Sequence, residues 1–287
     1  MADVTVSSAT ALPLPLSGRQ RPGGGRAAAA GRRLVAGLGP GVALLYLSFM
    51  VLLPVAALIS QSTTADFWQE ITAPQAKQAL IFTLEVAVAA AAIDVVTGIA
   101  LAWVLVRDDF PGKGIVNALI DLPFALPTIV AGLVLLTLYG GQSPVGIDVV
   151  GTRWAVLLAL LFVTMPFVTR AVQPVLLTLD RDVEDAAACL GASSWTTFRR
   201  VTLPSLLPAA ITGGSLAFAR ALGEFGSVIL LAAGVQHATV GSIYIYGQVE
   251  SGDVAAAAAV SVTLLAGAIV VLLLLSLLGR RWASRHA

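Results

Sequence analysis

Six long apolar segments constrain this chain more than any other feature of its sequence. Each is at least as long as the ~20 residues that an α-helix needs to cross the hydrocarbon core of a bilayer. Because lipid offers no partner to a free backbone group, only helices or closed barrels span it, and the alternating pattern of barrel strands is absent here. The sequence therefore predicts an all-α integral membrane protein with six transmembrane helices, at Leu38–Ile59, Ala79–Val106, Ile115–Tyr139, Trp154–Leu176, Ser205–Ala233 and Val254–Leu278.

Polar tails flank this membrane domain, which we place at residues 34–280. Residues 1–33 are of low complexity and carry five arginines, which predicts a disordered basic tail rather than a signal peptide. Residues 281–287 form a second, short basic tail. Only 11% of the 287 residues are charged, against roughly 25% in soluble domains. The net charge of +1 does not indicate a nucleic-acid partner.

The distribution of basic residues predicts the orientation of the chain. With six spans, both termini and the loops at 107–114 and 177–204 share one side, and that side holds most of the lysines and arginines. The opposite side holds only Lys77 and Arg153. By the positive-inside rule, both termini and the long loop are expected in the cytosol of a cell whose inner (plasma) membrane the chain crosses several times.

The sequence offers no sign of an enzyme. It lacks the H-E-x-x-H, G-x-S-x-G and GxxxxGK[ST] patterns, so any ATP chemistry must belong to another subunit. The single Cys189 excludes an internal disulfide. No metal or cofactor is expected.

The loop at 177–204 has the pattern of two short helices. Val183, Ala186, Ala187 and Leu190 share one helical face, Asp182 is placed to cap the first helix, and Gly191 is placed to end it. Ser193 or Ser194 would cap the second helix, and Pro204 suits the first turn of the next one. A structured, partly apolar element outside the bilayer indicates a docking partner.

This loop resembles the cytoplasmic coupling loop of binding-protein-dependent ABC importer permeases. Asp185-Ala186-Ala187, Gly191 and Val201-Thr202-Leu203-Pro204 match the spacing of the family signature, with Asp185 in place of Glu and Val201 in place of Ile. The resemblance implies a type I ABC importer permease, in which this loop forms the coupling helix. It also implies contacts with an ATP-binding subunit from Glu184, Asp185, Ala186, Ala187, Gly191, Leu203 and Pro204.

Two further motifs lie within the third and fourth spans. The third span holds Asp121 and then two prolines four residues apart, Pro123 and Pro127. The two prolines predict a kink or a break in the third helix. Arg170 lies near the predicted cytosolic end of the fourth span. It either snorkels to the surface, faces a translocation pathway, or forms an ion pair with a neighbouring acid.

The fifth span holds Arg220 and Glu224 at the i, i+4 spacing that lets two charges neutralise each other on one helix face. Deep charges seldom face lipid, and Gly223 and Gly226 permit a helix break or a close helix approach. The pair either fixes helix packing or lines a pathway. In the second span, Asp94 is expected to be held by a structural ion pair.

Together these motifs resemble the T-type permease subunit of sulfate/thiosulfate importers. The resemblance implies two ATP-binding subunits, a second related permease, an extracytoplasmic sulfate-binding protein, and inward transport by alternating access. A molybdate/tungstate importer permease is the alternative within this class, and a secondary transporter is the alternative outside it. The expected pathway or gate residues are Asp121, Pro123, Pro127, Arg170, Arg220, Gly223, Glu224 and Gly226.

Overall fold

The computed structural model of the chain describes residues 40–63, 66–232 and 239–286, with the backbone alone for residues 278 and 280–286. The predicted N-terminal tail, 1–33, lies outside the described residues. The chain divides into two compact units, residues 1–56 and 57–287. The described part of the first unit is the N-terminal portion of one apolar helix.

The described residues form helices and no strands, which confirms the predicted fold class. In chain order the helices are α1 (Pro40–Ser62), α2 (Phe67–Thr72), α3 (Pro74–Arg107), α4 (Lys113–Ala125), α5 (Thr128–Tyr139), α6 (Arg153–Thr178), α7 (Arg181–Cys189), α8 (Ser194–Leu222), α9 (Gly226–Leu231), α10 (Gly241–Glu250) and α11 (Val254–His286).

Five of the described helices are long and apolar enough to cross a membrane, and the α4–α5 pair makes a sixth span if counted together. Every predicted span thus has a counterpart. The fifth span differs most from its predicted bounds, because α8 begins at Ser194 and not at Ser205. Helix α11 continues to His286, beyond the predicted end of the last span at Leu278.

The core of the second unit is built from α3, α6 and α8. Helices α3 and α6 run in the same direction, since Asp94 meets Thr164 and, four residues on, Gly98 meets Val168. A Cβ atom on Gly98 would lie 2.7 Å from Cβ of Val168. A Cβ atom on Gly213 of α8 would lie 2.7 Å from Cα of the same Val168. Glycine on both sides lets three backbones approach closely, as is usual between helices in lipid.

The third span breaks at its second proline, as the sequence predicts. Helix α4 ends at Ala125, α5 begins at Thr128, and their axes differ in direction by 118°. Leu126, the residue before Pro127, is extended (φ −85°, ψ 134°), the conformation that a following proline favours. Pro123 remains inside α4 and is buried.

The fifth span breaks between Leu222 and Gly226, where α8 ends and α9 begins. Helix α9 packs against α5, and the contact is close enough to require small residues. A Cβ atom on Gly132 of α5 would lie 2.8 Å from Cα of Ser227, and one on Gly226 would lie 2.9 Å from the backbone nitrogen of Ile129. The breaks in the two spans therefore meet.

The second predicted short helix is not a separate element. Residues Ser194 to Leu222 form one continuous helix, α8, which contains a wide π turn at Phe198–Thr202. Pro204 follows this turn, and since proline lacks an N–H and crowds the preceding turn, a locally wider helix accommodates it. The loop at 177–204 and the fifth span thus share a helix.

Candidate functional site: the α7 loop and the charges within the spans

Helix α7 is held at both ends by the residue types that its sequence suggested. The carboxylate of Asp180, rather than that of Asp182, caps the N-terminus by accepting a hydrogen bond from the backbone N–H of Asp182 at 3.0 Å. At the other end Gly191 adopts φ +84°, a left-handed conformation that glycine takes without strain. Ser193 then caps α8 by accepting from the backbone N–H of Thr196.

The apolar face of α7 points away from the rest of the chain. Leu190 is 90% exposed and Val183 is 49% exposed, and Asp185 and Ala186 are exposed beside them. The first turn of α8 adds Trp195, which is also largely exposed. We call these five residues the outer face of the α7 loop; they form a partly apolar surface with one carboxylate, outside the predicted spans.

Glu184, by contrast, points inward. Its Oε1 atom lies 2.8 Å from Nη2 of Arg107, the last residue of α3, and 3.0 Å from Oγ1 of Thr202 in the π turn of α8. The guanidinium of Arg107 also lies over the ring of Trp103. Ala187 is half-buried on the same side as Glu184.

Arg170 forms an ion pair with Asp121, one of the arrangements that the sequence predicts, and all its donors have partners. Its Nε and Nη2 bind the two carboxylate oxygens of Asp121 at 2.7 and 2.6 Å. Nη1 donates to the side chains of Asn117 and Gln173, and Nη2 also donates to the backbone oxygen of Asn117. All five donors of a guanidinium are thus in use, and the fork clamps α4 to α6.

Arg220 and Glu224 form the second ion pair of the spans, at the break between α8 and α9. Nη1 of Arg220 lies 2.6 Å from Oε2 of Glu224, outside hydrogen-bond geometry. The other oxygen of Glu224 accepts from the backbone N–H and the hydroxyl of Ser227, so it caps α9. The side chain of Glu224 is 1% exposed, whereas that of Arg220 is 32% exposed and no described residue accepts from its remaining nitrogens. Within the described part of the predicted spans, the guanidinium of Arg220 therefore has nitrogens that no described residue accepts from.

The structure brings the predicted residues together in three places. Asp121 and Arg170 form one pair, Arg220 and Glu224 another, and Gly226 joins the α9 break to the α5 N-terminus. Pro127 and Gly223 are exposed at the two breaks. Leu203 and Pro204 continue α8 beyond the π turn and lie outside the outer face.

The sequence did not predict several of the hydrogen-bond partners that the structure shows. Asp94 is held by the hydroxyl of Thr164 at 2.5 Å and not by the ion pair that was expected. Arg107, one partner of Glu184, is 77 residues away along the chain, and Thr202, the other partner, lies in the same loop but entered the prediction only through the loop pattern. A threonine within an apolar run carries no sign of its partner. Among the described residues no cluster of His, Cys, Asp or Glu could hold a metal ion.

Comparisons with known proteins identify the family of this chain. The sequence model of the family described as "Binding-protein-dependent transport system inner membrane component" matches residues 94–284. The sulfate transport system permease protein CysT of Synechocystis sp. is 41% identical over 257 residues, which cover 86% of this chain and 90% of that protein. CysT of Escherichia coli (strain K12) is 39% identical to this chain, and the match covers 90% of this chain and 98% of that protein.

Solved structures share the fold. A bacterial alginate ABC transporter in complex with an alginate pentasaccharide-bound periplasmic protein contains a chain that superposes with a TM-score of 0.74 at 18% identity, over 89% of this chain and 96% of that one. A chain of the MetNI methionine ABC transporter superposes with a TM-score of 0.52 at 20% identity, over 71% of this chain and 92% of that one. From the family match and the identity to the curated permeases, the chain is a multi-pass inner-membrane transport permease that belongs to the binding-protein-dependent transport system inner membrane components.

Proposed function

We propose that this chain is the permease subunit through which an ATP-driven importer moves sulfate or thiosulfate into the cell. The ATP-driven part rests on the outer face of the α7 loop, where a capped helix leaves the apolar side chains of Val183 and Leu190 exposed. The substrate class is supported by the relatives that are named sulfate transport system permeases.

The outer face is the surface that we assign to an ATP-binding subunit. Leu190 and Trp195 are the large apolar groups that a partner would cover, and Asp185 supplies a carboxylate for a basic residue of that partner. Tryptophan is enriched among the few residues that carry most of the binding energy of protein interfaces. In this arrangement the α7 loop and both chain termini are cytosolic.

The pathway for the anion runs past the two breaks. Arg220 is partly exposed at the α8–α9 break and keeps guanidinium nitrogens free, so it can donate to an oxyanion that passes. Arg170 cannot do so, because its donors are all in use. We therefore assign Arg220 to contact with the anion, and Asp121 and Arg170 to holding the broken third span in place.

The complete importer would contain this chain, a second related permease, two ATP-binding subunits and an extracytoplasmic sulfate-binding protein. ATP binds better to the closed motor, and that difference in affinity drives the permease pair between its two states. The sulfate-binding protein delivers the anion, so the pathway itself needs no tight site.

The test is uptake of radiolabelled sulfate into proteoliposomes that contain the whole complex. We expect uptake to need the binding protein and hydrolysable ATP, and to be inhibited by excess unlabelled thiosulfate more than by molybdate. A matched preparation with a non-hydrolysable ATP analogue is the control. Stronger inhibition by molybdate would favour the molybdate/tungstate alternative. Uptake that follows an ion gradient without ATP would instead identify a secondary transporter.

A further inference from the structure

Two neighbouring acids of α7 have different surroundings, which assigns them different tasks. Asp185 is exposed on the outer face, and Glu184 turns toward the spanning helices. We propose that Glu184 is a positioning residue that ties α7 to α3 and α8 at once, so that displacement of α7 reaches both spans. This inference rests on the proposed function, since it presupposes that an ATP-binding subunit moves α7.

We call the contacts of Glu184 with Arg107 and Thr202 the joint, and a single atom of Glu184 makes both of them. Oε1 of Glu184 accepts from Nη2 of Arg107 at 2.8 Å and from Oγ1 of Thr202 at 3.0 Å. Arg107 ends α3, whereas Thr202 belongs to the π turn of α8, so one carboxylate oxygen gathers donors from two different spans. A displacement of α7 therefore strains both contacts together.

Few other contacts attach α7 to the spans. None of its nine residues is buried, so apolar packing contributes little to holding it against the bundle. A cavity of about 260 Å³, lined by Trp103, Glu184, Ala188 and Thr202 among others, lies beside the joint. The polar contacts of Glu184 are thus the main direct link between α7 and the end of α3.

Arg107 is held so that it favours this one partner. The side chains of Arg107 and Glu184 are only 10% and 20% exposed, which makes the pair much less screened than one at the surface. The guanidinium lies 5.6 Å from the centre of the Trp103 ring, and that ring meets Phe198 of α8 edge-on. Nε of Arg107 is buried without a hydrogen-bond partner in the described chain. Loss of Glu184 would leave a nearly buried cation uncompensated.

The experiment compares coupling with assembly in the whole importer. Glu184→Ala removes the joint, and Thr202→Val removes one of its two contacts while keeping the side-chain shape. For Glu184→Ala we expect normal assembly, ATP hydrolysis within about twofold of wild type, and sulfate uptake lower by about tenfold, within the usual range of coupling free energies. The ratio of ATP hydrolysed to sulfate transported should therefore rise in Glu184→Ala. In Thr202→Val it should rise by a smaller factor than in Glu184→Ala.

Two further variants separate the possible outcomes. Lys113→Ala breaks the exposed Lys113–Asp109 pair in the adjacent loop and should leave the ratio unchanged. Asp185→Ala should weaken assembly with the ATP-binding subunit without raising the ratio. An unchanged ratio in both Glu184→Ala and Thr202→Val overturns the inference, as does a loss of uptake that merely parallels a loss of assembly. Failure of the wild-type complex to transport sulfate would refute the proposed function instead.

Discussion

At the scale of single residues, a buried carboxyl group links two of the spanning helices. Asp94 is 1% exposed, and within the described chain its hydrogen-bond partner is the hydroxyl of Thr164. A buried polar group without a partner costs much more than an ordinary hydrogen bond contributes. The pairing therefore fixes the register between α3 and α6.

Thr164→Val should destabilise the protein, because it leaves the carboxyl of Asp94 buried and unpaired. We expect a loss of about 1–3 kcal/mol in the free energy of unfolding, measured by denaturant titration in detergent. Thr169→Val is the matched control, since Thr169 is equally buried on α6 but bonds only the backbone oxygen of Met165. Equal losses in the two variants would contradict this role of Thr164.

Arg220→Gln should abolish transport for two reasons that a double variant separates. The single change removes the proposed anion contact and also leaves Glu224, 1% exposed, without its cation, a loss of about 3–5 kcal/mol in stability. Arg220→Gln with Glu224→Gln should regain stability in thermal unfolding but not sulfate uptake. Recovery of uptake in the double variant would show that Arg220 serves only to neutralise Glu224.

Element by element, the sequence predicts the breaks better than the contacts. Pro127 both removes a donor and forces Leu126 out of the helical conformation, so a break in the third span follows from local chemistry. The π turn before Pro204 and the continuity of α8 depend on how the helix packs, which the proline pattern alone does not specify. The direction of Glu184 likewise depends on where the end of α3 lies.

Gly191→Asp should abolish transport while the permease remains in the membrane. A residue other than glycine at φ +84° costs roughly 1–2 kcal/mol, which disturbs the end of α7 and the start of α8. Uptake of sulfate and the amount of membrane-inserted protein are the measurements. Gly112→Asp provides the control, because Gly112 has φ +88° and equally open surroundings but lies outside the α7 loop. Normal ATP-driven uptake in Gly191→Asp would count against the coupling role.

For the whole molecule, the proposed orientation depends on which side of the membrane holds the α7 loop. Cys189 is the only cysteine of the chain and is exposed at the end of α7, so it reports that side directly. We expect a membrane-impermeant maleimide to leave it unmodified in intact cells and to label it in inside-out vesicles. Labelling from outside intact cells would reverse the proposed topology.

The unbroken course of α8 has a mechanical consequence. At 1.5 Å per residue, a helix from Ser194 to Leu222 is about 44 Å long, and a tilt of ~10° at its first turn displaces its far end by about 8 Å. Arg220 lies near that far end. In the proposed importer, a small rotation at the first turn of a rigid α8 would therefore become a lateral displacement near Arg220 that is large enough to open or close a passage for an ion.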